Sequence, residues 1–195
     1  MARVAAAVRE TEILLAARAE FARRGYHDAR MSAIARSAGI ADGTVYLYFR
    51  NKRDLLVAVF RAGVAAYMAG LEAALAGAPD GLQELERLVA FHLSYLGGRP
   101  EMARIAQVEL RQSDAAIRSA VAEAVAPLFH RIDRIVARGL EEGVVRRDAD
   151  PRIVRRMVFG TLDECVSAWV NARHPYPLES VAGDVARLLL GGIAR

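Results

Sequence analysis

Cysteine is almost absent: Cys165 is the only one in 195 residues. A disulfide framework and a multi-cysteine metal site are thereby excluded, and the chain suits a reducing compartment. Lysine is just as scarce, with Lys52 standing alone against 26 arginines. No uninterrupted apolar run reaches the roughly 18 residues of a membrane span, so no membrane partner is expected. The opening stretch MARVAAAVRETEILLAARAEF is broken by Arg9, Glu10 and Glu12 and does not read as a signal peptide. The expected location is therefore the cytoplasm. Catalytic patterns are missing too. A di-iron bundle needs Glu-x-x-His pairs, but His27, His92, His130 and His174 are preceded at minus three by Arg24, Val89, Pro127 and Asn171. There is no G-x-S-x-G, and Cys165 falls in mid-helix. No catalytic residue, metal ligand or cofactor is expected.

What remains is a helical protein. The chain is 54% hydrophobic and 26% charged, a balance that excludes disorder and permits a proper core. Strand-like alternation is absent, alanine is abundant, and glycine and proline fall mainly between periodic runs. Ile13, Leu14, Ala17 and Phe21 recur at helical spacing over about 9–24, with Gly25 as the stop. Two short helices follow, at about 32–37 and 43–49, with Gly39 turning the chain between them. A long fourth helix runs from about Lys52 towards Leu75 and ends at the punctuation AGAPDGL. Further helices are expected at 82–97, 101–112 and 114–142, the last bent or broken at Pro127. Asp150-Pro151 reads as an N-cap followed by proline in the first turn, opening a helix over 151–173, and a last helix covers 178–193.

Charge is concentrated at one end. Residues 1–61 hold 11 Arg and Lys against 6 Asp and Glu, while the rest holds 16 against 17, which together give the net +4. A basic head on a near-neutral body suggests that one end meets a polyanion, although a solvated basic face gives the same count.

The stretch GIADGTVYLYFRNKRDLL, residues 39–56, sharpens that suggestion. Two short helices joined by a glycine-containing turn make a minimal helix-turn-helix, whose second helix enters the DNA major groove. On that second helix Val45 and Phe49 lie four apart and share one face. Thr44, Leu47 and Tyr48 then point outward, with Tyr46 at the flank. Exposed leucine and tyrosine suit DNA, because methylenes touch thymine methyls and phenol hydroxyls donate to phosphate. Gly43 lets the helix N-terminus approach the backbone closely. Lys52 opens the next helix, where its ammonium can meet the phosphate chain. A core or dimer contact is the blander use of the tyrosines.

These residues resemble the TetR family of bacterial transcriptional regulators. The Gly-Thr-x-Tyr-x-Tyr-Phe core followed by x-x-Lys, and RMSAIARSAG before it, look like that family's recognition helix, fourth-helix start and second helix. With the first helix the likeness covers about 9–60. It implies an all-α fold: an N-terminal three-helix domain over 1–66, with its helix-turn-helix at about 30–49, joined by helix four to an effector-binding and dimerisation domain over 67–195. It implies double-stranded operator DNA as partner, contacted by Thr44, Tyr46, Leu47, Tyr48 and Lys52, with Ser32 and Gly43 near the backbone. Two residues depart from the family pattern. Arg30 stands where a Ser or Thr usually caps the second helix, and Ala41 where a serine often caps the third; Ser32 and Asp42 are the substitute caps.

The helices at 151–173 and 178–193 carry more apolar residues than one internal stripe needs, from Ile153, Val154, Met157 and Val158 to Leu188, Leu189 and Ile193. The resemblance implies that they form a four-helix bundle with a second copy, giving a homodimer; filling the monomer core is the other use of the same residues. VELRQSD and GTLDECVSAWV resemble the FadR-type branch of the family, which represses fatty-acid degradation genes and is released by long-chain acyl-CoA. A sister group responding to phenylacetyl-CoA is similar. A CoA thioester needs an apolar tunnel and cations for its phosphates. Phe91, Tyr95, Met102, Val108, Leu128, Phe129 and Trp169 are candidates for the tunnel, and Arg99, Arg104, Arg111 and Arg131 for the phosphates. His92 reads either as a ligand contact or as a hydrogen-bonded core histidine. The alternative input is a lipophilic drug-like compound, as in family members that control efflux.

Overall fold

The structure is a computed structural model that describes residues 2–109, 115–174 and 176–195, with side chains from residue 5 onward except those of 108 and 109. Among these residues there are nine α-helices and one 3-10 turn. The only β-type pairing among them is a bridge between Val145 and Ala194. The helices are α1 (Ala2–Asp28), α2 (Met31–Ser37), α3 (Asp42–Tyr48), α4 (Lys52–Leu75), α5 (Gly81–Gly97), α6 (Pro100–Glu109), α7 (Ala115–Glu141), α8 (Pro151–Val170) and α9 (Ala182–Gly191), with the 3-10 turn at Leu178–Val181. They group into two compact units, residues 1–64 with 104–124, and residues 65–103 with 125–195. Helices α4, α6 and α7 each contribute residues to both.

In the first unit α1 buries Ile13, Ala17 and Phe21, α2 buries Ile34 and Ala35, α3 buries Val45, and α4 adds Leu55, Leu56, Val59 and Phe60. Ile105, Ile117 and Val121 from the later segment are buried as well. Regular helix in α1 breaks at Gly25, where φ is +72°, and a further turn carries the chain to Asp28. The end of α2 sets the turn. Gly39 has φ +68°, the N–H of Ile40 donates to the carbonyl of Ala35 at 3.0 Å, and that of Gly39 donates to Arg36 at 3.2 Å. This is the Schellman arrangement, which needs a left-handed residue and so favours glycine.

The second unit packs α5, α8 and α9 with the latter parts of α4 and α7 around Leu71, Leu85, Leu88, Leu93, Ile132, Ile135, Val158, Leu162 and Leu190. Asp80 caps α5 by accepting from the N–H of Gln83 at 2.8 Å. Asp150 caps α8 by accepting from Arg152 at 2.8 Å, with Pro151 in the first turn.

Three expectations need correction. Pro127 lies inside α7 without ending it. The cap positions of α2 and α3, Arg30 and Ala41, make no side-chain cap bond, and neither Ser32 nor Asp42 takes over. The interface helices also give less apolar surface than expected: Val154, Val158, Leu162 and Val166 of α8, with Leu189 and Ile193, are buried within the monomer, whereas Ile153, Met157 and Leu188 are exposed. Helix α4 has the length and composition of a membrane span. Its apolar residues serve both cores instead, Leu55 and Leu56 in the first and Tyr67, Leu71 and Leu75 in the second.

Candidate nucleic-acid interface and effector region

Helix α3 sorts its side chains sharply. Val45 is fully buried and Phe49, just past its end, is 7% exposed, while Leu47 is 83% and Tyr46 52% exposed. Gly43 is exposed, and Thr44, Tyr48 and Ser32 are half-buried. The wheel therefore turns slightly from the sequence reading: Tyr46 joins Leu47 as the most open aromatic, and Tyr48 sits at the flank.

Lys52 departs from expectation more strongly. Its ammonium donates to the carbonyls of His27 at 2.7 Å and Ala29 at 3.0 Å, and stands 4.8 Å from the centre of the Tyr26 ring. It is half-buried, tied into the corner between α1 and α2 rather than extended into solvent. Next to it Asn51 caps α4 by accepting from the N–H of Asp54 at 2.8 Å, a role the sequence reading missed although asparagine before a helix signals it. Arg50 pairs with Asp54 at 2.8 Å.

In the second unit an aromatic cluster surrounds a residue the sequence reading passed over. Tyr67 of α4 is buried and contacts Phe91, His92 and Tyr95, with ring centres 5.2, 5.6 and 5.3 Å away. A lone tyrosine in the apolar run AGVAAYMAGL was the available signal, since a buried phenol needs a partner. The partner is His92, whose Nδ1 lies 3.0 Å from the Tyr67 hydroxyl. Burial pushes the His92 pKa down to about 4, with nearby Asp163 opposing the shift. Burial also raises the Tyr67 phenol above its ordinary value, helped by Tyr95. Both groups are neutral at pH 7. Gly70, one turn further along α4, leaves room for this cluster: a Cβ there would lie 2.8 Å from the Phe91 ring.

Several of the other expected effector residues have partners of their own, and Leu128 and Trp169 belong to the same hydrophobic cluster as Phe91 and Tyr95. The guanidinium of Arg99 lies 3.9 Å from the centre of the Tyr95 ring, and Met102 is half-buried. Leu128 is a buried core residue. Phe129 packs edge-on against Phe159 at 4.8 Å, and the indole N–H of Trp169 donates to the carbonyl of Tyr176 at 2.7 Å. Arg131 is not a free cation. It binds Glu72 at 3.0 Å and Glu84 at 2.9 Å, and Glu84 also takes Arg138 at 3.5 Å. Arg104 is exposed and falls within the first unit. The side chain of Val108, and Arg111 altogether, lie outside the described residues.

A three-helix unit that buries Val45 and presents Leu47 is that of a helix-turn-helix DNA-binding regulator, here followed by a second helical unit. Residues 13–59 match the model of the bacterial regulatory proteins of the tetR family, and residues 60–192 match that of the YsiA-like protein C-terminal region. The chain belongs to the TetR family; it is a DNA-binding regulator of transcription and not an enzyme. The fatty acid metabolism regulator protein of Bacillus subtilis (strain 168) is 35% identical over 182 residues, 93% of this chain and 94% of that protein. The solved FadR of Bacillus halodurans, described as a fatty acid degradation regulator, superimposes with a TM-score of 0.88 at 36% identity, covering 93% of this chain and 98% of that one. FadR of Bacillus subtilis, solved in complex with stearoyl-CoA, gives 0.89 at 34% identity, covering 94% and 98%.

Proposed function

We propose that the protein is a cytoplasmic, homodimeric repressor that binds a palindromic operator through residues 1–66 and is released when residues 67–195 bind a long-chain acyl-CoA. The genes it controls then serve fatty-acid or related CoA-thioester breakdown. The observation that carries this reading is the full-length likeness to a regulator solved with stearoyl-CoA, at 34% identity over 94% of the chain. In this reading Tyr46, Leu47, Tyr48 and Thr44 meet the major groove, and Ser32 and Gly43 lie against the backbone. One helix-turn-helix reads few base pairs, so two copies occupy half-sites one helical turn apart, about 34–36 Å. The exposed Ile153 and Met157 of α8 and Leu188 of α9 supply the dimer contact. Phe91, Tyr95, Met102 and Phe129 line the acyl region, with His92 and Tyr67 as its buried polar pair. Arg99, already stacked on Tyr95, faces the CoA phosphates.

The test begins with a duplex that the purified protein selects from a random pool. Stearoyl-CoA should release that duplex, and linkage requires the operator to weaken stearoyl-CoA binding by the same factor. Equal stearoyl-CoA affinity for free and operator-bound protein refutes the switch. Release by cationic dyes but not by acyl-CoA would assign the input to drug-like compounds instead.

A further inference from the structure

We infer that the cation reaching the DNA backbone at the corner between α1 and α2 is Arg30, and that Lys52 is a positioning residue that holds this corner in place. The inference rests on the reading of the protein as an operator-binding regulator and concerns how that operator is held.

The last carbonyls of a helix have no partner within it. After the break at Gly25 the chain turns from α1 into α2 within a few residues, so the corner's carbonyls need donors from elsewhere. Lys52 donates to two of them, on His27 and Ala29, with the Tyr26 ring beside its charge. An ammonium has three donors radiating from one atom and satisfies two carbonyls and a ring face together. A guanidinium is a flat fork suited to one carboxylate or phosphate. The geometry thus accounts for a lysine at this one place in a chain otherwise supplied with arginine. It also commits the donors of that ammonium to the protein, so that none is left to bond a phosphate directly.

Arg30 is placed in the opposite way. It is exposed, makes no cap bond, and its guanidinium has no hydrogen bond or ion pair among the described residues. It lines two neighbouring open clefts. The first, of about 690 Å³, also presents Arg23, Arg24, His27 and Asp28; Glu20 pairs with both Arg23 and Arg24. The second, of about 460 Å³, presents Ser32, Asp42, Tyr46, Asn51 and Lys52. Arg30 therefore stands beside the outward tyrosine of α3 as an uncommitted guanidinium, the group best shaped to take a phosphate through two parallel bonds. Where a short hydroxyl would have capped α2, the chain carries a long cation that reaches outward.

The experiment measures affinity for the selected duplex between about 50 and 200 mM salt, with melting temperatures, for wild type, R30Q, K52R and K52M. Each neutralised phosphate contributes about 0.9 to the log–log salt slope, so removing one such cation from each of the two copies on the palindrome should flatten it by about 1.8. R30Q should bind about tenfold more weakly per half-site, about a hundredfold for the dimer on the palindrome, with that flattened slope and an unchanged melting temperature, as expected for one exposed charge-assisted phosphate contact in each copy. K52R and K52M should both melt lower and bind more weakly at an unchanged slope, so that restoring the charge as arginine does not restore binding. An unchanged slope in R30Q overturns the inference. So does a K52R that matches wild type beside a K52M with a flattened slope, because the phosphate would then belong to Lys52. A wild-type chain that selects no duplex overturns the regulator reading itself.

Discussion

Leu47 has most of its surface in water, while Phe49, two residues on, has almost none, so truncating each tests a different property. Leu47→Ala should change folding stability by no more than about 0.5 kcal/mol yet weaken operator binding. Phe49→Ala should cost about 3–5 kcal/mol, and its DNA binding should fail only through unfolding. Denaturant titrations beside anisotropy on the selected duplex separate the two, and a destabilised Leu47→Ala would contradict the exposed placement. His92 supplies a second residue-scale test. Its pKa falls from 6.5 to about 4 through burial, against the pull of Asp163. The unfolded chain therefore takes up the proton first as pH drops. Stability linked to His92 is complete above about pH 6.5 and is lost between 6.5 and 4, on the order of 3 kcal/mol in all. Urea midpoints across that window should fall for wild type, and should fall less for His92→Gln, which has no titrating ring. Parallel curves would mean that His92 is not buried neutral.

At the scale of elements, α3 is held by packing without a cap. Ala41 sits at its cap position with φ −68° and ψ 147°, the extended geometry in which a serine hydroxyl bonds the first turn. Ala41→Ser should therefore raise stability by about 0.5–1 kcal/mol, read as a higher melting temperature; no gain would show that packing already fixes this end. Element boundaries here were largely legible from local chemistry. The glycine turn at Gly39, the Asp150-Pro151 start of α8 and the Lys52 start of α4 all depend on residues adjacent in sequence. What stayed hidden depends on distance. Proline in a helix costs a hydrogen bond and a clash, about 3 kcal/mol, and α7 nevertheless runs through Pro127 because buried Val121 and Val125 before it and Ile132 and Ile135 after it anchor both halves. The partners of Lys52 lie 25 and 23 residues away, and those of Arg131 lie 59 and 47. No local pattern could show that these two cations, read as open to phosphate, were already engaged.

On the scale of the whole molecule, the apolar excess of the last two helices was legible, but its division between core and surface was not. Composition gives α8 one broad apolar helix; only packing reveals that Val154, Val158, Leu162 and Val166 face inward while Ile153 and Met157 face out. Leu188 of α9, 69% exposed, adds a third outward side chain that the monomer does not use. If these three make the contact between two copies, charging it should separate dimer from fold. Met157→Asp with Leu188→Glu places two carboxylates where each copy must desolvate them on association, a cost without compensation in an apolar contact. Neither change touches the buried set, so melting measured at low concentration should shift little. Sedimentation should show the variant as a monomer, and affinity for the palindromic duplex should collapse towards that for a single half-site, since each helix-turn-helix would bind alone. A variant that stays dimeric would move the interface elsewhere. One that is monomeric yet holds the palindrome at full strength would mean that operator recognition does not require the pairing of two copies.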